Sequence, residues 1–258
     1  DMTKEEFIKE VTTGLKAPPQ YFPKNVGMNK GINKSYANIL TEGKEPLSVA
    51  EFKALANNGA LILDVRPTAE FIEEHIPNAL FIGLDGGFAP WVGTLIEDLN
   101  TPIIIVTPKG REEEAVTRLS RVGYDNTQGF LKGGIAAWKA SGEETAEVRS
   151  VSSSDFSKNL TTDDSIIDVR KDTEYFSEHI LHENVSNIPL NPSIGDSSTL
   201  ENKAQYIHCA GGYRSVIAIS ILKAKGFHQL INIEGGFSEI KNETNIQISE
   251  WVCPSEMI

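Results

Sequence analysis

The chain repeats itself, and that restricts its architecture more than any other feature. Leu47 to Ile76 aligns without a gap on Val151 to Ile180 at an offset of 104 residues. Asp64-Val65-Arg66 matches Asp168-Val169-Arg170, and Phe52 matches Phe156. Glu70, Glu74, His75 and Ile76 match Glu174, Glu178, His179 and Ile180. The later halves realign at 102 to 103: Ala115 with Ala218, Leu119 with Leu222, Gly123 with Gly226, and Gly133-Gly134 with Gly235-Gly236. The chain is therefore a tandem duplication. It divides into residues 1–46, which belong to neither copy, a first copy over 47–145 and a second over 146–258.

Each copy alternates strands and helices. Leu61-Ile62-Leu63, Ile103 to Val106, Ile166-Ile167 and Tyr206-Ile207 are short apolar runs bounded by turn or polar residues, the pattern of buried strands. Ser48 and Ser152 are positioned to cap the helices that carry Phe52 and Phe156. Thr117 to Val122 and Val216 to Lys225 have helical spacing. The expected class is α/β, with each copy a parallel sheet covered by helices on both faces. In such sheets ligands gather at the carboxyl ends of strands. Cys209, Arg66 and Arg170 all fall at such ends.

The copies differ in chemistry. In the second, the run Tyr206-Ile207-His208 ends in Cys209, a short loop Ala210-Gly211-Gly212-Tyr213 follows, and Arg214 opens a helical pattern. Converging backbone N–H groups, a helix N-terminus and an arginine each favour negative charge on sulfur. Cys209 is thus the candidate nucleophile, and Ala210, Gly211, Gly212, Tyr213 and Arg214 are the candidate substrate-binding loop. Four residues separate Cys209 from Arg214, where the phosphate cradle of protein tyrosine and dual-specificity phosphatases has five. The shorter loop makes a tighter ring of donors, suited to a persulfide sulfur. Together with the Asp-Val-Arg strand end, the pairs Glu70-Phe71 and Glu174-Tyr175, the Glu-His-Ile triplets and the late Gly-Gly, this loop resembles the rhodanese family of sulfurtransferases over roughly residues 47 to 240. The resemblance implies two tandem rhodanese-like domains, transfer of sulfane sulfur through a Cys209 persulfide, and no cofactor or metal.

The first copy offers no thiol. Thr107 stands nearest the cysteine position, followed by Pro108-Lys109-Gly110-Arg111 and three glutamates, Glu112 to Glu114. Aligning the helices matches Arg111 to Arg214 and leaves the loop one residue short; aligning the glycines puts Glu112 in the arginine's place. Either way the first copy is expected to be catalytically silent and to form a cleft wall or a partner surface. Asp168 and Arg170 read as a carboxylate–guanidinium pair at a strand end before they read as supporting catalytic groups. His179 has a counterpart, His75, in the silent copy, which marks both as structural. His208 precedes the nucleophile, but along a strand its side chain points away from that of Cys209. Cys253 lacks any arginine or glycine loop and reads as a passive tail thiol.

The formal net charge of −12 excludes the basic footprint that nucleic acid requires. There is no apolar run of membrane-spanning length and no signal-peptide pattern, and two cysteines in unlike settings suggest no disulfide framework. The expected compartment is the reducing cytoplasm. The first 46 residues hold an amphipathic stretch from Thr3 to Leu15 and a Pro-rich segment around Pro18 to Met28. They resemble the segment that joins a persulfide dioxygenase domain to rhodanese domains in bacterial fusion proteins, which implies that the chain is part of such a fusion or works beside such an enzyme. The expected reaction moves sulfane sulfur from thiosulfate or a glutathione or coenzyme A persulfide to a thiophilic acceptor such as sulfite. A non-enzymatic sulfide-responsive or scaffold module is the alternative, with a cysteine-dependent phosphatase behind it.

Overall fold

The computed structural model describes residues 2–13 and 36–253. The Pro-rich segment, and with it the resemblance to a dioxygenase linker, lies outside them. The amphipathic stretch forms a helix, Lys4–Thr12, capped by Thr3 and Glu6, whose side chains each take a backbone N–H at the helix start. No residue of this helix is buried.

Two five-stranded sheets follow. The first contains β1 (Pro46–Leu47), β2 (Leu61–Asp64), β3 (Leu80–Phe81), β4 (Ile103–Val106) and β5 (Thr127–Leu131) in the order β1-β5-β4-β2-β3. The second contains β6 (Ser150–Val151), β7 (Ser165–Asp168), β8 (Val185–Asn187), β9 (Gln205–His208) and β10 (Leu230–Ile233) in the order β6-β10-β9-β7-β8. All the pairings between these strands are parallel. The two orders are the same topology, so the duplication read in the sequence is a duplication of folded domains. Ile103 and Ile105 face one apolar cluster while Ile104 and Val106 face another, so both faces of the central strand are covered. Ser48 and Ser152 are the expected caps: each side chain accepts the backbone N–H three residues on.

Two boundaries differ from the sequence reading. Helix Tyr36–Gly43, placed with the extension, packs on the first sheet: Ile39 is buried, and Gly43 lies so close to Val116 that a Cβ would be 2.6 Å from Cγ1. Its short, unpunctuated apolar pattern had no repeat partner to reveal it. At the other end Ala146 and Val148 still pair with His75 and Ile72 of the first copy.

The copies share a core. Helix Tyr213–Ala224 is buried on all sides through Val216, Ile217, Ala218, Ile219 and Leu222. It packs between its own sheet and strand β3 and helix Thr68–Glu73 of the first copy. A helix apolar all round demands such double cover, and each large aliphatic side chain buried contributes roughly 1.5–3 kcal/mol. One apolar cluster accordingly runs from Phe52, Phe81 and Val106 through Val216 and Ile217 to Ile207 and Cys209.

Candidate active site

The Asp-Val-Arg triplets lock the ends of β2 and β7. Asp168 accepts from Arg170 Nε at 3.0 and 2.9 Å, from Nη2 at 2.6 Å and from the Arg170 backbone N–H at 2.9 Å. Arg170 Nη2 also donates to the carbonyl of Glu178 at 2.8 Å, tying the strand end to helix Asp172–Ser177. Asp64, Arg66 and Glu74 repeat every one of these contacts in the copy without a thiol. An arrangement that survives where the thiol is absent is a structural lock. Arg170 further lies 3.9 Å over the Phe237 ring. The histidines are likewise duplicated: His75 bonds the Phe71 carbonyl at 2.8 Å and His179 that of Tyr175 at 3.0 Å, each ring stacked on the aromatic four residues earlier.

Cys209 leaves the end of β9 and is 1% exposed. The Gly212 N–H donates to its Sγ at 3.1 Å, and Ser215 Oγ lies 3.7 Å away. Ser215 Oγ in turn lies 2.8 Å from Asn232 Oδ1 and 3.1 Å from the Gly212 carbonyl, either of which can accept its one proton. The late glycine pair supports the loop from below. Phe237 N–H donates to the Cys209 carbonyl at 2.7 Å and Ser238 N–H to that of Ala210 at 2.9 Å. Gly236, at φ 57°, comes so close that a Cβ would stand 2.5 Å from the Cys209 carbonyl oxygen. Ala210, Gly211 and Gly212 bring no charged side chain to the loop.

Other candidates are placed differently from the simplest reading of the motif. Arg214 makes a bidentate pair with Glu174, at 2.6 and 2.8 Å, so its charge is shared with a carboxylate on helix Asp172–Ser177. That pairing holds the Glu174 carboxyl below the usual range and pushes the Arg214 guanidinium up. Tyr213 turns its ring into the first copy and donates to the Gly83 carbonyl at 3.0 Å. His208 is fully buried beside Asp168, its Nε2 3.9 Å from Oδ2 and without a hydrogen-bond partner. Burial pushes its pKa down and keeps the imidazole neutral. Cys253 sits partly buried after Val252, whose backbone pairs with Ser177. A cavity of about 270 Å³ is lined by Arg170, Thr173, Glu174, Ser177, Glu178 and Phe237.

The silent loop settles between its two alignments. Val106 and His208, partners of Asp64 and Asp168, are 102 residues apart, while the helix-ending glycines Gly123 and Gly226, at φ 90° and 95°, are 103 apart. The loop glycines Gly110 and Gly212, at φ 85° and 92°, are also 102 apart, so the two loops are equally long, Glu112 stands in the place of Arg214, and the helix of the first copy is one residue shorter. A register shift between β4 and β5, next to Gly129 at φ 132°, restores the offset. Arg111 pairs with Glu114 and Asp85. The Gly110 N–H donates to Glu112 Oε1 at 3.0 Å, so a carboxylate takes the donor that in the second copy meets sulfur. This loop borders a cavity of about 640 Å³ that includes Arg66, Thr107, Lys109 and Glu112.

Sequence reasoning missed Glu174 as the partner of Arg214, and Asn232 as the support of Ser215. Asn232 left a trace: a polar residue within Leu230-Ile231-Asn232-Ile233 must find a buried partner. Glu174 was visible only as a repeated residue, because its partner lies 40 residues on.

Two parallel α/β domains, one carrying a buried thiol at a strand end beneath a glycine loop and a helix start, define a duplicated protein with a thiol in one loop of the pair. The rhodanese-like domain family matches residues 48–141 and 152–243, and the chain belongs to that family. It is 30% identical over 112 residues to Adenylyltransferase and sulfurtransferase MOCS3 of Drosophila sechellia, a match covering 41% of this chain and 25% of that protein. The chain thus spans about a quarter of that relative. Among solved structures, a thiosulfate sulfurtransferase from Pseudomonas aeruginosa matches 80% of this chain and 43% of its own at 17% identity and a TM-score of 0.36. A rhodanese-like domain protein from Staphylococcus aureus matches 40% of this chain and 100% of its own at 26% identity and a TM-score of 0.33. Among the described residues no helix is long and apolar enough to cross a membrane, and no group of His, Cys, Asp and Glu could hold a metal ion.

Proposed function

We propose that the second copy is a sulfurtransferase that carries sulfane sulfur on Cys209 in the reducing cytoplasm. The observation that carries this reading is the Gly212 N–H aimed at Sγ at 3.1 Å, in a loop that ends on a helix start and Arg214. The Cys209 thiolate attacks the outer sulfur of the donor. With thiosulfate the S–S bond breaks and its electron pair leaves with sulfite; with a thiol persulfide it leaves with the thiolate. Cys209 is left as a persulfide, whose terminal sulfur then passes to a nucleophilic acceptor, and the thiolate returns. The Gly212 N–H and the helix start stabilise negative charge at both stages.

The preferred donor is a low-molecular-weight persulfide such as that of glutathione or coenzyme A. Ala210, Gly211 and Gly212 bring no second cation for the sulfonate of thiosulfate, and Glu174 offsets Arg214. An enzyme that consumes or makes such persulfides, for example an associated dioxygenase, fits as the partner, and sulfite as an acceptor would give thiosulfate. Loading rates of Cys209 with both donors, resolved by mass, test the choice; faster loading by thiosulfate removes the persulfide preference and leaves the transferase. The burial of Cys209 favours a second reading, an inert thiol in a scaffold module. Failure of every donor to add one sulfur atom to Cys209 in the intact chain establishes that reading instead.

A further inference from the structure

The ring of Tyr213 enters a turn of the first copy that has room for it only because residue 86 is glycine. A Cβ on Gly86 would lie 2.3 Å from Cζ of the Tyr213 ring. The Tyr213 hydroxyl donates to the Gly83 carbonyl at 3.0 Å, and the ring meets Phe81 edge-on at 5.8 Å. The turn itself is braced from behind. Arg118 Nη1 donates to the Leu84 carbonyl at 2.6 Å, and Arg111 pairs with Asp85 at 2.8 Å. Both arginines belong to the helix region of the silent copy that corresponds to the sulfur loop and its helix. On the other side of the contact, Tyr213 directly follows Gly212, the residue whose N–H faces Sγ.

We propose that Tyr213 is a positioning residue through which the silent copy holds the sulfur loop in its charge-stabilising shape, with the Gly83–Gly86 turn as its socket. The inference rests on Cys209 being the sulfur-carrying nucleophile. Its physical basis is short and continuous: Arg118 and Arg111 fix the turn, the turn fixes the ring, and the ring fixes the Tyr213 backbone and, through it, the adjoining Gly212 whose N–H faces Sγ. Phe237 and Ser238 hold the Cys209 and Ala210 carbonyls and Ser215 Oγ lies by that of Gly212, but Ala210 and Gly211 supply no side chain able to anchor the peptide that carries the Gly212 N–H. The silent copy is thereby part of the catalytic unit without touching substrate.

The test uses the full chain and two readouts on the Cys209 peptide: the pH midpoint of alkylation by iodoacetamide, and the rate of persulfide loading by glutathione persulfide. Gly86→Ala, which evicts the ring, and Tyr213→Leu, which removes it, are each expected to raise the midpoint by about one pH unit and to slow loading about tenfold. The double variant should match the single ones, because both break one contact. Ser220→Ala removes the partner of the Phe81 N–H at the same domain interface, 3.1 Å away, and should lower the melting temperature without moving the midpoint. An unmoved midpoint in folded Gly86→Ala and Tyr213→Leu overturns the proposal, as does a midpoint that moves equally in Ser220→Ala. Should Gly86→Ala not fold, Tyr213→Phe decides: it keeps the ring and loses the Gly83 bond, and loading should slow about threefold, with no change counting against the proposal. If the unaltered chain takes up no sulfur, the transferase reading fails, while the alkylation midpoints still test the socket.

Discussion

The two loops at the ends of β4 and β9 stand on the same scaffold and do opposite things with it. Both follow a buried central strand, both lead into a helix, and both are backed by a positive-φ glycine pair, Gly133-Gly134 and Gly235-Gly236. In the second, the Gly212 N–H faces a sulfur; in the first, the Gly110 N–H faces the chain's own Glu112 carboxylate. Their arginines diverge as well: Arg214 pairs across the site with Glu174, whereas Arg111 is committed to Asp85 and Glu114. The sheet, the strand-end lock and the stacked histidines are thus indifferent to chemistry. The residue at the strand end, Thr107 or Cys209, and the identity of the group that receives one N–H separate a nucleophile's cradle from a closed loop.

The contrast is strongest at the nucleophile. Cys209→Ser should lower thiosulfate-to-cyanide sulfur transfer by at least about a thousandfold, whereas Cys253→Ser should leave most of it. Equal losses would replace the single thiol with a pair. Next comes the glycine under each loop. Gly236→Ala places a Cβ 2.5 Å from the Cys209 carbonyl, but Gly134→Ala, at nearly the same φ, meets nothing within 4 Å. Urea melts should show a loss of about 3 kcal/mol for the first and about 1 kcal/mol for the second; matching losses would mean that backbone strain alone sets both.

A smaller effect divides the copies by pH. His75 is pushed down to about 4 by burial. Its folded pKa lies below the unfolded one near 6.5, so the unfolded chain binds the proton first. The stability it contributes is complete above about pH 6.5 and declines as pH falls toward 4, by on the order of 2–3 kcal/mol. Buried His208 acts in the same sense. Thermal melts between pH 4 and 7 should show a flatter decline in His75→Gln than in the unaltered chain; parallel curves would remove His75 as an acid-labile point. The smallest expected effect is none: Thr107→Cys in a Cys209→Ser background should give no measurable transfer, since Glu112 already holds the Gly110 N–H. Turnover there would show that a thiol is all the first loop lacks.

Much of this was legible in the residues. The 104-residue offset predicted two like domains, and the apolar runs marked β2, β4, β7 and β9 to within a residue or so. Cys209 stood out because strand, glycines and arginine are contiguous, so local order carries the pattern. What escaped depends on distance along the chain. The short edge strands β1, β3, β6 and β8, with two or three residues each, have too little periodicity to register. The Arg214–Glu174 pair and the Tyr213 socket join segments 40 and 130 residues apart, and neither arginine nor tyrosine announces its partner. Only the unusual apolarity of Val216 to Leu222 hinted that this helix needed two neighbours.

That helix also orders the birth of the molecule. Strand β3 is the outer strand of its sheet, and its Phe81 N–H is met by Ser220, on a helix made 139 residues later. While the ribosome is still working, the first copy can close its own sheet and present β3 as a ready platform. The second copy, emerging afterwards, has no aqueous resting place for Ile217 and Ile221 until it reaches that platform. The earlier half therefore supplies the apolar cover that this helix lacks within its own domain.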